Sequence, residues 1–338
     1  MTTTPIHQLL VAIEAIQAAA IATESVRHAS AGGTLSALIK GDASPVTVAD
    51  FASQAVVLSI LQSAFGHVPL LGEESDGLLR DPANAAILDA VVAAARTAIP
   101  ELDHRTVLDL LAHERADPSK DGCWTLDPVD GTKGFLRGGQ YAIALAWIEE
   151  GRPHIGAMAC PRLALDLDDP SQPAATGLVA FALRGGGARW MSLGSDEFES
   201  AEPLSAPAWR LGEPVELLLS AESAHGDGDA AGELGLRAGP LGRALRLDSA
   251  SKYVLLAHGR GNAYMRVPRI SPGKPERKEC VWDHAAGVLI AEEAGCVTSD
   301  LDGRPLDFAA GPTLAYNRGL LAGPPALVRA IAPSAGPA

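Results

Sequence analysis

The sequence predicts an α/β (α+β) fold built as two closely packed halves. Three observations carry that expectation. Alanine-rich helical stretches at residues 5–29 and 82–99 alternate with short apolar runs at 67–71 and 123–126. Two longer apolar runs, 141–149 and 152–160, are separated by Glu150 and Gly151, a hairpin signal. Residues 243–267 then read as strand, helix, strand. At 338 residues, 47% of them hydrophobic, the chain can bury a large core, and its length suits two domains better than one.

Taken in order, residues 5–29 form a helix that Gly32 and Gly33 terminate. Its apolar stretch, 9–22, is interrupted by Glu14 and Gln17, has no basic flank and is too short to span a bilayer. It reads as an amphipathic packing helix. Residues 35–44, with a lone Lys40, show no period and are expected to be a loop. A second helix is expected from 45 to about 65, with Thr47 as its N-cap and Asp50 in its first turn. The strand at 67–71 ends at Gly72, Glu73 and Glu74, the kind of edge where open α/β sheets place ligands, and one of the two acids can face inward. Residues 102–114 are a further helical stretch.

After the hairpin the domain boundary is placed near 160, giving halves of 1–160 and 161–338. Residues 166–176 read as a surface loop, Phe181 and Trp190 flank a turn at 184–187, and 195–213 is an irregular connection. A strand follows at 215–220, then the strand, helix, strand unit and a loop at 268–278. Residues 281–287 lead into a helix, 313–316 and 320–322 are strand-like, and a short helix follows Pro324. No internal repeat is evident.

Composition narrows the functional classes. Aromatic residues make up only 4%, so aliphatic and alanine packing must supply most of the core. Cys123, Cys160, Cys280 and Cys296 form no CxxC pair, which favours reduced thiols in a cytoplasmic protein. A net charge of −14 argues against nucleic-acid and anionic-membrane partners, and a monomer or weak homodimer is expected. The charge is unevenly spread. Residues 1–150 carry 9 Lys/Arg against 19 Asp/Glu, whereas 241–278 carry 9 against 2. An acidic half could hold cations while the basic segment holds an anionic ligand; the basic segment could equally be a solvated surface.

The richest stretch runs from Trp124 to Arg137. An apolar run delivers Asp127 and Asp130 into a Pro/Gly turn that opens toward Thr132. Two carboxylates in one small volume repel each other, and a divalent cation relieves that repulsion. The amides of Gly131 and Thr132, at a helix start, favour a phosphate beside the cation. Taken alone the segment also fits an ordinary Asp-Gly turn. Asp50 alone fits dipole complementation, Asp283 alone fits N-capping, and His284 alone fits a structural histidine.

Together, Asp50, Gly72-Glu-Glu74, Asp127-Pro-Val-Asp-Gly-Thr132 and Trp282-Asp-His-Ala-Ala-Gly287 resemble the motifs of the lithium-sensitive, magnesium-dependent phosphatase superfamily. That superfamily includes inositol monophosphatases, fructose-1,6-bisphosphatases and bisphosphate nucleotidases. Residues 132–138, 247–253 and 264–268 resemble, more narrowly, the 3′(2′),5′-bisphosphate nucleotidases of the yeast salt-tolerance and plant type. The resemblance implies a layered α/β/α/β/α sandwich. It places metal ligands at Glu73, Asp127, the Val129 carbonyl, Asp130 and Asp283, and a water-activating pair at Asp50 and Thr132. It places substrate contacts at Gly131, Thr132, Ser249, Lys252 and Arg266, with His225 a weaker match. The activity it implies is Mg²⁺-dependent removal of the 3′-phosphate of adenosine 3′,5′-bisphosphate, with two or three ions; whether 3′-phosphoadenylyl sulfate is also cleaved stays open. The alternatives are an inositol or sugar phosphatase of the same superfamily and a non-catalytic metal and nucleotide sensor.

Overall fold

The computed structural model describes residues 4–30, 37–39, 45–113, 115–119, 122–221, 228–269 and 278–332. Helix α1 (Pro5–Ser30) is followed by β1 (Ala37–Ile39), β2 (Pro45–Thr47), α2 (Val48–Phe65) and β3 (Leu70–Gly72). Helices α3 (Ala85–Ala95) and α4 (His104–Leu111) lead to β4 (Cys123–Asp130) and the short α5 (Thr132–Leu136). Next come β5 (Ala142–Glu149), β6 (Arg152–Cys160), β7 (Leu178–Leu183), β8 (Ala188–Ser192) and β9 (Glu202–Leu204). The remainder is β10 (Val215–Ser220), α6 (Gly228–Gly235), β11 (Leu241–Leu247), α7 (Ser251–His258), β12 (Ala263–Arg266), α8 (Ala285–Glu293), β13 (Val297–Ser299), β14 (Leu320–Gly323) and α9 (Pro325–Ile331).

Strands β3 to β9 form a seven-stranded sheet in chain order, antiparallel except for the parallel β3/β4 pair. A five-stranded sheet has the order β11-β10-β12-β14-β13, with β10 parallel to both its neighbours. Helices α1 to α4 cover one face of the large sheet, α7 and α8 fill the space between the sheets, and α6 and α9 cover the far face of the small one. The result is the α/β/α/β/α sandwich that the motif resemblance implied.

Strand alternation explains the layers. On β5, Ile143 and Leu145 face α1 and α2, whereas Ala142, Ala144 and Ala146 face the central helices. The small residues let α8 come close. A Cβ on Gly156 of β6 would lie 2.8 Å from the Ala286 carbonyl oxygen, and one on Gly287 would lie 2.1 Å from the Tyr253 ring.

Several expectations shift. Part of the predicted loop at 35–44 is β1, which pairs with β2, so the second helix starts at Val48 rather than 45; residues 31–36 and 40–44, including Lys40, lie outside the described residues. Helix α1 has 26 residues, more than its apolar stretch indicated, and α2 has 18. Both are long and apolar enough to cross a bilayer, yet most of each is buried against other elements. Ile6, Leu10 and Ile21 remain exposed on α1, so its polar face is incomplete. The expected boundary near 160 falls at the end of β6, inside the large sheet. The chain changes sheets between Leu204 and Val215. Thr313 forms only a single bridge to Cys280. The predicted loop at 268–278 lies almost wholly outside the described residues.

Candidate active site

The site begins with a bulge in β4. Side chains three apart on a regular strand point to opposite faces. Here Asp127 pairs with Ala144 and Asp130 with Ala142, so three steps on β4 match two on β5. The extra residue turns both carboxylates to one side. Pro128 has no N–H to donate to a ladder, which makes a bulge a natural place for it. Its carbonyl accepts from Ser53 Oγ at 2.8 Å, and the Val129 N–H donates to Asp127 Oδ1 at 3.1 Å.

Helix α2 ties this bulge to its neighbour. Asp50, Ser53 and Gln54, at i, i+3 and i+4, share one helix face, and all three are buried. Ser53 holds the bulge, while Gln54 donates to the Glu74 carbonyl at 2.8 Å and accepts from its N–H at 3.1 Å. Glu73 is thereby fixed beside Asp127, because Gly72 and Leu126 are partners in the parallel β3/β4 register. Glu73 is half-buried and Glu74 buried.

Asp283 arrives from the other half, in the turn before α8. It does not cap that helix; His284 occupies the N-cap position. The structure places Glu73, Asp130, Asp283 and Asp50 within electrostatic reach of Asp127. Burial first, and then the facing charges of Glu73, Asp130, Asp283 and Asp50, hold the Asp127 carboxyl well above the usual carboxylate range. Burial, Asp130 and Glu73 likewise raise Asp283, with Arg266 opposing.

Beyond the carboxylates, Gly131 adopts a left-handed conformation (φ 88°) and packs on the similarly left-handed Ser249 (φ 70°). A Cβ on Gly131 would lie 2.9 Å from that of Ser249. The Ala250 N–H donates to Asp130 Oδ2, so the second half closes directly on the bulge. Thr132 Oγ1 donates to the Val129 carbonyl at 3.1 Å. Helix α5 has only five residues, so phosphate binding there would rest on its first amides more than on a helix dipole.

The expected substrate contacts fall into place unequally. Arg266 pairs with Glu279 at 2.7 Å. Burial alone would lower the Arg266 guanidinium, but Glu279 and Tyr264 outweigh it and raise it. Burial alone would raise Glu279; Arg266 and His284 instead hold it far below the usual carboxylate range. Both His284 nitrogens are engaged, one by Glu279 at 3.1 Å and one by the Tyr253 hydroxyl at 2.9 Å. That bears out a structural histidine, although Glu279, Asp283 and His284 lie close enough together to hold an ion.

Lys252 differs from the expected open anchor. The residue is 1% exposed, and its ammonium donates to the carbonyls of Leu247, at 3.0 Å, and Ser249. Burial pushes it down to about 8. In this arrangement it builds the Ser249 turn. His225 lies outside the described residues. Ser53 and Gln54 were not anticipated. The signal for them was a polar i, i+3, i+4 set on an otherwise apolar helix.

An all-oxygen cluster of five acids from four chain segments, with Asp50 and Asp127 buried and the other three half-buried, fits hard divalent cations, which relieve the mutual repulsion of the carboxylates. The inositol monophosphatase family profile matches residues 7–333. The chain belongs to that family. Among its relatives is a 3′(2′),5′-bisphosphate nucleotidase of Schizosaccharomyces pombe, 36% identical over 92% of this chain and 90% of the relative. One of Emericella nidulans is 35% identical over 93% of both chains. An Arabidopsis thaliana 3′,5′-bisphosphate nucleotidase 2 is 34% identical over 83% of each. Among solved structures, CysQ from Bacteroides thetaiotaomicron superposes with a TM-score of 0.61 at 20% identity, over 94% of this chain and 97% of that one, a likeness of fold. The family is one of metal-dependent phosphatases.

Proposed function

We propose that this protein removes the 3′-phosphate of adenosine 3′,5′-bisphosphate, giving AMP and phosphate. The observation that carries the reading is the convergence of Glu73, Asp127, Asp130 and Asp283 with Asp50 behind them, in a chain whose relatives are nucleotidases over nine-tenths of its length.

Glu73, Asp127, Asp130, Asp283 and the Val129 carbonyl would hold two or three Mg²⁺ ions; oxygen donors suit Mg²⁺, whereas a zinc site would be expected to use His or Cys. Bound there, Mg²⁺ would make the attacking water more acidic and neutralise the departing 3′-oxygen. Thr132 orients that water and the Asp50 carboxylate takes its proton. Because the Thr132 hydroxyl spends its own hydrogen on Val129, its oxygen is left to accept from water. The amides of Gly131 and Thr132 hold the phosphoryl oxygens.

Arg266, steadied from behind by Glu279, grips the 5′-phosphate as a remote anchor. Lys252 contributes by shaping the Ser249 turn, and its charge adds to the basic surroundings. His225 stays a candidate contact to the nucleotide. We assign the protein to the cytoplasm, in keeping with its four free cysteines. The test is phosphate release from adenosine 3′,5′-bisphosphate, 3′-phosphoadenylyl sulfate, inositol monophosphate and fructose 1,6-bisphosphate, with and without Mg²⁺. Preference for inositol monophosphate, or release without any metal, would overturn the reading.

A further inference from the structure

Glu73 and Asp283 reach the cluster from different halves of the molecule, and one side chain touches both segments. Arg115 lies against β3, where it forms a parallel bridge with Leu70, and the Ala116 N–H donates to the Leu70 carbonyl at 2.9 Å. Its Nη2 donates to the Gly72 carbonyl at 2.9 Å and to the Glu73 carbonyl at 3.3 Å. On its other side the guanidinium carbon sits 5.1 Å from the centre of the Trp282 ring. Trp282 directly precedes Asp283 and is 8% exposed, so the ring is a fixed wall.

We propose that Arg115 is a positioning residue for metal binding: it fixes the Glu73 turn against the Trp282–Asp283 turn and so sets the spacing of two carboxylates contributed by separate halves. The inference rests on the reading above that Glu73 and Asp283 hold cations. Three features support it. The guanidinium is planar, which allows it to serve two carbonyls through one nitrogen while lying over an indole; a lysine offers no such flat face. The residue is exposed. Its contribution to the core is therefore small, and among the described residues its side-chain hydrogen bonds go to the Glu73 turn and its ring contact to Trp282. Finally, Glu73 has no helix or strand of its own. It follows the last residue of β3, and Gln54 holds the Glu74 backbone beyond it, on the side of Asp127 rather than of Asp283. Without Arg115 the carbonyls of Gly72 and Glu73 lose their shared donor, and with it the link between this turn and the Trp282–Asp283 turn.

Residues that orient a ligand typically account for about tenfold or more in metal affinity. Arg115→Ala should therefore weaken Mn²⁺ binding, read directly by the electron paramagnetic resonance signal of free Mn²⁺, by about tenfold. The Mg²⁺ concentration for half-maximal phosphate release should rise by a similar factor. At saturating Mg²⁺, kcat and the nucleotide KM should stay within about twofold, because the side chain reaches two backbone carbonyls and an indole rather than the carboxylates themselves. Unchanged Mn²⁺ affinity would overturn the proposal, as would a fall in kcat with no change in the metal requirement. If Arg115→Ala does not fold, Arg115→Met keeps the aliphatic stem and is read by the same outcomes. Should the wild type bind Mn²⁺ yet release phosphate from no substrate, the proposed activity fails, while the Mn²⁺ titration still decides the role of Arg115.

Discussion

Replacing Asp127 by asparagine separates the electrostatics of the cluster from its packing. Asp127 is 3% exposed and faces the charges of Glu73, Asp130, Asp283 and Asp50. The amide keeps Oδ1, and with it the bond from the Val129 N–H, so the change is essentially one buried negative charge. Relieving a functional site of this kind is worth about 0.5–2 kcal/mol. For a chain of 338 residues the unfolding entropy is about 0.7 kcal/mol per kelvin, so Asp127→Asn should melt about 1–3 °C above the wild type in EDTA at neutral pH.

The sign follows from linkage. A carboxyl whose folded pKa is raised contributes most below its unfolded value, and stability is lost as pH rises through the raised range. Variant and wild type should therefore coincide near pH 4 and separate as pH rises above it. Mg²⁺ reverses the order. At about a hundred times its Kd it stabilises the wild type by about 2.7 kcal/mol, or about 4 °C here, and a variant lacking one ligand gains much less. Scanning calorimetry across this pH range, in EDTA and in Mg²⁺, gives every curve needed. A variant that melts below wild type in EDTA and still responds fully to Mg²⁺ would refute the reasoning.

Three further outcomes are expected. Asp130→Asn should abolish turnover while circular dichroism shows an intact fold, since its remaining oxygen can still accept from Ala250; near-normal Mg²⁺-dependent phosphate release would contradict its assignment. Arg266→Ala should lose discrimination between the bisphosphate and AMP-like monophosphates, and stranding the part-buried Glu279 should cost up to about 3 kcal/mol in urea unfolding. An equal loss of activity on every substrate would count against the anchor. Lys252 has a lowered pKa, so between about pH 8 and 10.5 the folded state releases a proton that the unfolded chain keeps, and stability rises with pH. Measured against Lys252→Met, the wild type should gain up to about 3 kcal/mol across that window; a flat difference would show that the ammonium is not desolvated.

Local features of the site were legible and distant ones were not. Asp127, Asp130, Gly131 and Thr132 are adjacent in the chain, so their chemistry could be read directly, and motif resemblance added Glu73, Asp50 and Asp283. The bulge that aims Asp127 and Asp130 the same way depends on the register with β5, which no local pattern encodes. Ser53 binds a carbonyl 75 residues away, and Arg115 binds carbonyls more than 40 residues away. Lys252 shows the complementary difficulty. Its position in the basic segment pointed to an anion, whereas packing against Tyr264 and the turn at 247–249 draws the ammonium inward. The layered architecture was carried by the motifs rather than by periodicity. β9 and β13 have only three residues each, too few to show alternation.

The contact of the Ala250 amide with Asp130 has a consequence for how the enzyme matures. The seven-stranded sheet alone carries Asp127, Asp130 and the Glu73 turn, but it lacks both Asp283 and the donor that steadies Asp130. A nascent chain on the ribosome, having made that sheet but not yet its smaller partner, would hold a clutch of mutually repelling acids with only part of its coordination sphere. Tight ion capture would then wait for the smaller sheet and its helices to close on the larger one.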